Sequence, residues 1–177
     1  MISPKRDAVA ALLAALVCTS ASAQFVGSDI GVAFTPTVQN AAYASGNAMG
    51  GLQTIPFFRI SSGVFDNFQI TSKGGSTTAM TIYIFDTNPV SSTCTDKSAF
   101  SLGAADVSKL AMAPFILTPA VVGSGTTATV AQQTQAISMQ NRDNPFTGNL
   151  YVCIVADGAV TPASTTDLVG KISGVLD

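Results

Sequence analysis

The side chains able to carry chemistry in this 177-residue chain are few and one-sided. All ten acidic residues are Asp, and there is no His, Glu or Trp. His is the usual general base and the commonest metal ligand, so its absence removes Ser-His-Asp and Cys-His nucleophile arrangements and most catalytic zinc sites. What remains is carboxylate chemistry. Asp86, Asp96 and Asp106 fall ten residues apart, with Asp66 upstream. Carboxylates converging from one loop suit Ca²⁺, a hard cation that takes oxygen ligands. A pair of Asp residues also suffices for glycosidase-type chemistry, and a hydrolase here would rest on Asp86 and Asp96. Calcium loops, however, place ligands at alternate positions, which nothing here does, whereas an Asp at a strand end readily caps a turn. The glycine pairs Gly50-Gly51 and Gly74-Gly75, and Gly123-Ser124-Gly125, lack the Lys-Ser/Thr and helix of a phosphate-binding loop and read as turns. The expectation is therefore no enzyme, with no catalytic residue, no cofactor and no metal site.

Three cysteines complete the inventory: Cys18, Cys94 and Cys153. The first falls in a segment that reads as an export signal over residues 1–23. Lys5 and Arg6 form a positive start, an Ala- and Leu-rich run follows, and Ala21-Ser22-Ala23 offers a small-x-small cleavage site before Gln24. The apolar run is too short to span a bilayer, and the bulky Leu16-Val17 before Cys18 argues against lipid attachment. Cleavage after Ala23 leaves residues 24–177 with Cys94 and Cys153. An even count in an oxidising compartment permits a disulfide, and two buried free thiols are the other reading.

Charged residues make up only 10% of the chain, with a net charge of −2. An average soluble domain carries roughly 25%. Surfaces solvated by hydroxyls and amides lose little on association, since few charges must be desolvated. A sparse acidic balance also disfavours nucleic acid, whose binding rests on neutralising phosphates.

The elements that must position these groups read as β-strands. Alternating or continuous runs of β-formers occur at 31–38, 54–60, 64–71, 79–85, 115–117, 126–138, 150–155 and 166–175. Pro56 marks the second as an edge or irregular strand. The run 79–85 is apolar on both faces near its end, which predicts a central strand covered by a second layer. The turn Lys73-Gly74-Gly75-Ser76 predicts a hairpin with the run before it. The best helical candidate is a turn or two over 104–110. Residues 39–51 read as an ordered loop or a flexible arm, with 24–51 an extended arm plus first strand. About eight strands at short spacing predict one all-β domain, an antiparallel β-sandwich of jelly-roll type.

Within that frame, residues 36–51, 82–110 and 150–177 resemble a family of small virion structural proteins of tailed bacteriophages and prophages. The shared pattern is an aliphatic-Phe-Asp strand end, a Pro, a Thr-rich loop and an Asp, then an Ala-Phe pair and an Ala-Asp-x-x-Lys-Leu turn. Here these are Phe85-Asp86, Pro89, 93–96, Ala99-Phe100 and Ala105-Asp106 through Lys109-Leu110. The resemblance implies a β-sandwich subunit decorating a phage head or belonging to a tail. It would be homo-oligomeric, in contact with major capsid or tail proteins, without nucleic acid and without membrane once the leader is removed. The family offers no functional residues to carry over. The export-like leader and the Cys94/Cys153 pair depart from the family pattern. They leave open a secreted or periplasmic location, and with it an adhesin-like binding module, instead of the virion.

Overall fold

A computed structural model describes residues 28–60, 63–122, 128–138 and 146–176. The export-like segment 1–23, Cys18 and the Gly123-Ser124-Gly125 turn lie outside the described residues. The strands form where the sequence alternates. Met80, Ile82 and Ile84 are fully buried on one face of their strand, and Phe68 and Ile70 are buried while Gln69 and Thr71 remain half-exposed.

Nine strands are present among the described residues: β1 (Ser28–Phe34), β2 (Gln53–Ile60), β3 (Gly63–Ser72), β4 (Met80–Phe85), β5 (Phe115–Leu117), β6 (Ala120–Val121), β7 (Thr129–Ser138), β8 (Phe146–Ala156) and β9 (Leu168–Leu176). They build a five-stranded sheet in the order β1-β9-β3-β7-β6 and a four-stranded sheet in the order β2-β8-β4-β5. All pairings are antiparallel. The pairs are nested: β1 meets β9, β2 meets β8, β3 meets β7 and β4 meets β5. The chain is thus one long hairpin wound so that successive pairs fall in opposite sheets, which is the jelly roll.

The inner faces meet in a core of Ile55, Phe68, Ile70, Met80, Ile82, Ile84, Leu117, Leu150, Val152, Ile154, Leu168 and Ile172. Phe68 ties the layers together. Its ring lies 6.1 Å from that of Phe34 on β1 and 5.7 Å, edge to face, from that of Phe115 on β5.

Four details differ from the sequence reading. Strand β1 stops at Phe34 instead of running to residue 38, because Pro36 has no amide to give a ladder; Val38 bonds instead to the Thr165 carbonyl at 3.1 Å. The Lys73–Ser76 turn does not close a hairpin. It carries the chain from one sheet to the other, since β3 pairs with β7 and β9 while β4 pairs with β5 and β8. The helical turn is a 3-10 helix over Ala104–Lys109, with Asp106 N bonding Gly103 O and Leu110 N bonding Val107 O. Strand β6 is an addition. Pro56 does lie on an edge strand, and β4 is interior to its sheet.

Close packing inside the five-stranded sheet depends on Gly170. A Cβ there would overlap the Phe34 ring. Gly170→Ala is expected to lower unfolding free energy by about 1–3 kcal/mol through overpacking, read by urea titration. Adding Phe34→Leu should recover part of that loss, and simple additivity of the two changes would refute the contact.

Candidate functional site

The four-stranded sheet has a second apolar face. Alternation along β4 and β8 sends Phe85, Cys153 and Val155 away from the main core, with Tyr83 and Tyr151 beside them. Strands greasy on both sides need a cover. It comes from the loops 35–52 and 86–110, which lay Ala48, Leu52, Cys94, Phe100, Leu102 and Leu110 over this face. The Tyr83 and Phe100 rings stack with centroids 4.3 Å apart.

Backbone bonds knit the two loops to each other and to the sheet. Ala48 N donates to Ser98 O and Lys97 N to Ala48 O, both at 2.8 Å; Phe100 N reaches Gly46 O and Met49 N reaches Ile154 O, also at 2.8 Å. Lys97 adopts a left-handed φ of 64° at the tip of the tight turn, where its side chain is exposed. A non-glycine there costs roughly 1 kcal/mol, offset by the bond its amide makes.

Two of the four carboxylates singled out from the sequence, Asp96 and Asp106, sit in this cover as braces. Asp96 Oδ1 accepts the Tyr43 hydroxyl at 2.7 Å and the Gly50 amide at 2.6 Å, while the Gln39 amide donates to the Tyr43 oxygen at 2.7 Å. Two donors of the 35–52 loop thereby converge on one oxygen of the 86–110 loop. Burial, and next the Asp96 carboxylate it donates to, push the Tyr43 phenol up to about 12, against a smaller lowering by the Gln39 amide. Gly50 itself must be glycine, since φ is +76° and Pro36 lies against it.

Asp106 is fully buried in the 3-10 turn. Its Oδ2 accepts the Ser91 amide at 2.7 Å and the Ser92 hydroxyl at 2.8 Å, and Oδ1 faces Lys109 Nζ at 2.8 Å. Lys109 also donates to the Asn88 carbonyl at 2.9 Å. Burial alone would raise the Asp106 pKa; the Lys109 ammonium, the Ser92 hydroxyl and the Ser91 amide outweigh it and hold the carboxyl well below its ordinary value of 3.8. The Ala-Asp-x-x-Lys-Leu pattern thus has a physical content: an ion pair three residues apart, followed by a leucine that enters the outer cluster.

Asp86 remains half-exposed at the end of β4 with the Thr87 hydroxyl on it. Asp66 is exposed at the bulge of β3, where the register shifts between Phe65 and Asn67. Among the described residues no three His, Cys, Asp or Glu side chains gather as a metal would need. A brace that the sequence did not disclose is Asp167, buried, which takes the Ser72 hydroxyl and the amides of Gly74 and Ala163. It fixes the crossing between the sheets.

Cys94, on the loop, is joined to Cys153 in β8, with their Cα atoms 6.2 Å apart and a sequence separation of 59. The bond staples the cover to the sheet. Closing a loop of that size is worth about 4 kcal/mol through restriction of the unfolded chain.

No helix among the described residues is long and apolar enough to cross a membrane. Compared with protein-family models and with curated proteins, the chain matches none.

The two braces respond to opposite ends of the pH scale. Because the folded Asp106 carboxyl is depressed, the unfolded chain takes up the proton first. Its contribution is complete above the ordinary carboxyl value of 3.8 and fades as pH falls through and below it. Asp106→Asn should therefore lower stability at neutral pH and make the acid limb of a stability–pH curve shallower, by up to one proton. An unchanged acid limb would remove Asp106 from that role. For Tyr43 the sign reverses: its raised pKa gives a contribution complete below 10 and lost as pH climbs from 10 towards 12. Tyr43→Phe should flatten the alkaline limb in urea titrations across that interval, and cost about 1–3 kcal/mol at neutral pH by removing one of the donors to Asp96 and the acceptor of the Gln39 amide.

Proposed function

We propose that the chain is a non-enzymatic structural subunit of a virion, a capsid-decoration or tail-associated protein that works by self-association and by contacts to other coat proteins. One flank of the sandwich carries this reading. Strands β5 and β6 are the outermost strands of the two sheets on the same side, joined by Thr118-Pro119. Ile116 on β5, Val121 on β6 and Val122 just after it are 62%, 59% and 48% exposed. From residue 110 to residue 141 the sequence holds no Lys, Arg or Asp.

Soluble proteins usually guard an exposed edge with charge. This flank is guarded only by brevity and by Pro114 and Pro119, which discourage strand addition but leave the side chains open. A surface whose own strands carry no charged side chain meets a second copy of itself with little like-charge repulsion and little desolvation, as an isologous interface requires. The jelly roll serves viral capsid domains, but also lectins and cupins, so the fold supports the reading only by analogy. The resemblance of residues 82–110 to phage virion proteins adds to it, and the carboxylates of the cover act as braces.

A secreted or periplasmic binding module is the second reading. The Cys94–Cys153 bond favours it, since disulfides persist in oxidising compartments. Sedimentation velocity over a range of concentrations separates the two. The structural subunit self-associates or co-sediments with particles, and Ile116→Asp with Val121→Asp weakens that association by about 100-fold without changing the circular dichroism spectrum. A wild-type chain that stays monomeric and free of particles, recovered only from periplasm or medium, points to the binding module.

A further inference from the structure

The two sulfurs of the disulfide occupy unequal positions. Cys153 is fully buried in β8, opposite Tyr83 in the ladder with β4. Cys94 is half-exposed on the covering loop. The position of Cys94 is fixed without its sulfur. Thr93 and Ser101 exchange backbone bonds at 2.8 and 3.2 Å, the 95–98 turn closes at 3.0 Å, and Lys97, Ser98 and Phe100 bond to the backbone of residues 46 and 48. Asp96, two residues on, holds Tyr43 and Gly50. Cys153 is fixed by its pairing with Tyr83 in β4, next to Val152, where the β2 ladder ends at Gln53.

We propose that the Cys94–Cys153 bond closes last, on an already folded chain, and that Cys94 is the sulfur through which it exchanges with an outside disulfide. The inference goes beyond the proposed function and holds for a virion subunit or a secreted module alike. With glutathione disulfide as oxidant, the Cys94 thiolate attacks one glutathione sulfur; the glutathione S–S bond breaks, a Cys94–glutathione bond forms, and one glutathione leaves as thiolate. The Cys153 thiolate then attacks the Cys94 sulfur, expelling the second glutathione. The two protein thiols are oxidised to one disulfide, one glutathione disulfide is reduced to two glutathiones, and the two thiol protons end on those products. Access decides the order, because an incoming disulfide approaches the partly buried Cys94 more readily than the fully buried Cys153. The folded shape therefore does not depend on the bond, which is added when the folded chain meets an oxidant.

The test uses the full chain carrying Cys18→Ser, so that only these two thiols remain. Three samples are compared: the reduced chain, its Cys153→Ser variant and its Cys94→Ser variant. Each is examined by far-ultraviolet circular dichroism with thermal unfolding, then by intact mass during incubation with glutathione disulfide. The expected result is a cooperative β-rich unfolding transition in all three. Cys153→Ser should accumulate a glutathione adduct at Cys94, and Cys94→Ser should react at Cys153 at least about tenfold more slowly. Loss of the cooperative transition in the reduced chain or in either variant overturns the claim that folding precedes the bond. Equal reaction rates at the two cysteines in folded chains overturn the assignment of Cys94 as the entry sulfur. Neither result bears on self-association, which the sedimentation experiment reads separately.

Discussion

The structure depends on a constraint set by β4 and β8: their side chains are apolar on both faces. One face is satisfied by the opposing sheet, as in any sandwich. The other, carrying Phe85, Cys153 and Val155, would lie bare in water. Exposed contiguous apolar surface of that kind is costly, and the fold answers with a third layer made of loops. Once loops rather than strands must do the covering, they need fixing by something other than a ladder. The short backbone bonds among residues 46, 48, 97, 98 and 100, the Asp96 and Asp106 braces and the disulfide all serve that requirement.

This explains why the acidic residues are spent as they are. A carboxylate accepts several donors at once, and charge-assisted bonds are stronger than neutral ones. Asp96 draws in residues from Tyr43 and Gly50, Asp106 from Ser91, Ser92 and Lys109, and Asp167 from Ser72, Gly74 and Ala163. Each stands where the chain leaves regular structure and its amides would otherwise go unpaired.

Much of the architecture was legible because periodicity survives in the strands. The run through Met80, Ile82 and Ile84 announced a central strand, and Pro56 announced an edge. The 3-10 turn was legible as a short helical piece, and the spacing of Asp106 and Lys109 was visible within it. What could not be read were facts of long range. A Gly-Gly turn after β3 suits a hairpin and a sheet crossing equally. The choice lies with partners such as Asp167, 93 residues beyond Gly74. Strand β6 has only two residues, too few to carry a period. Asp96 looked like a turn cap because its true partners lie some fifty residues upstream. The spacing of Cys94 and Cys153 was equally silent, since separation along the chain does not measure distance in space.

The nesting of the strand pairs has a geometric result. Ser28 and Leu176 are direct partners in the β1–β9 ladder, so the backbone enters and leaves the sandwich at the same corner, a few ångströms apart. That corner is on the β1 border of the five-stranded sheet, and β6 forms its opposite border. Among the described residues, the first and the last therefore lie together on one border, while the exposed apolar side chains of β5 and β6 lie on the other. The jelly roll thus gives the described residues two unlike borders, one where the chain both enters and leaves and one lined by exposed aliphatic side chains.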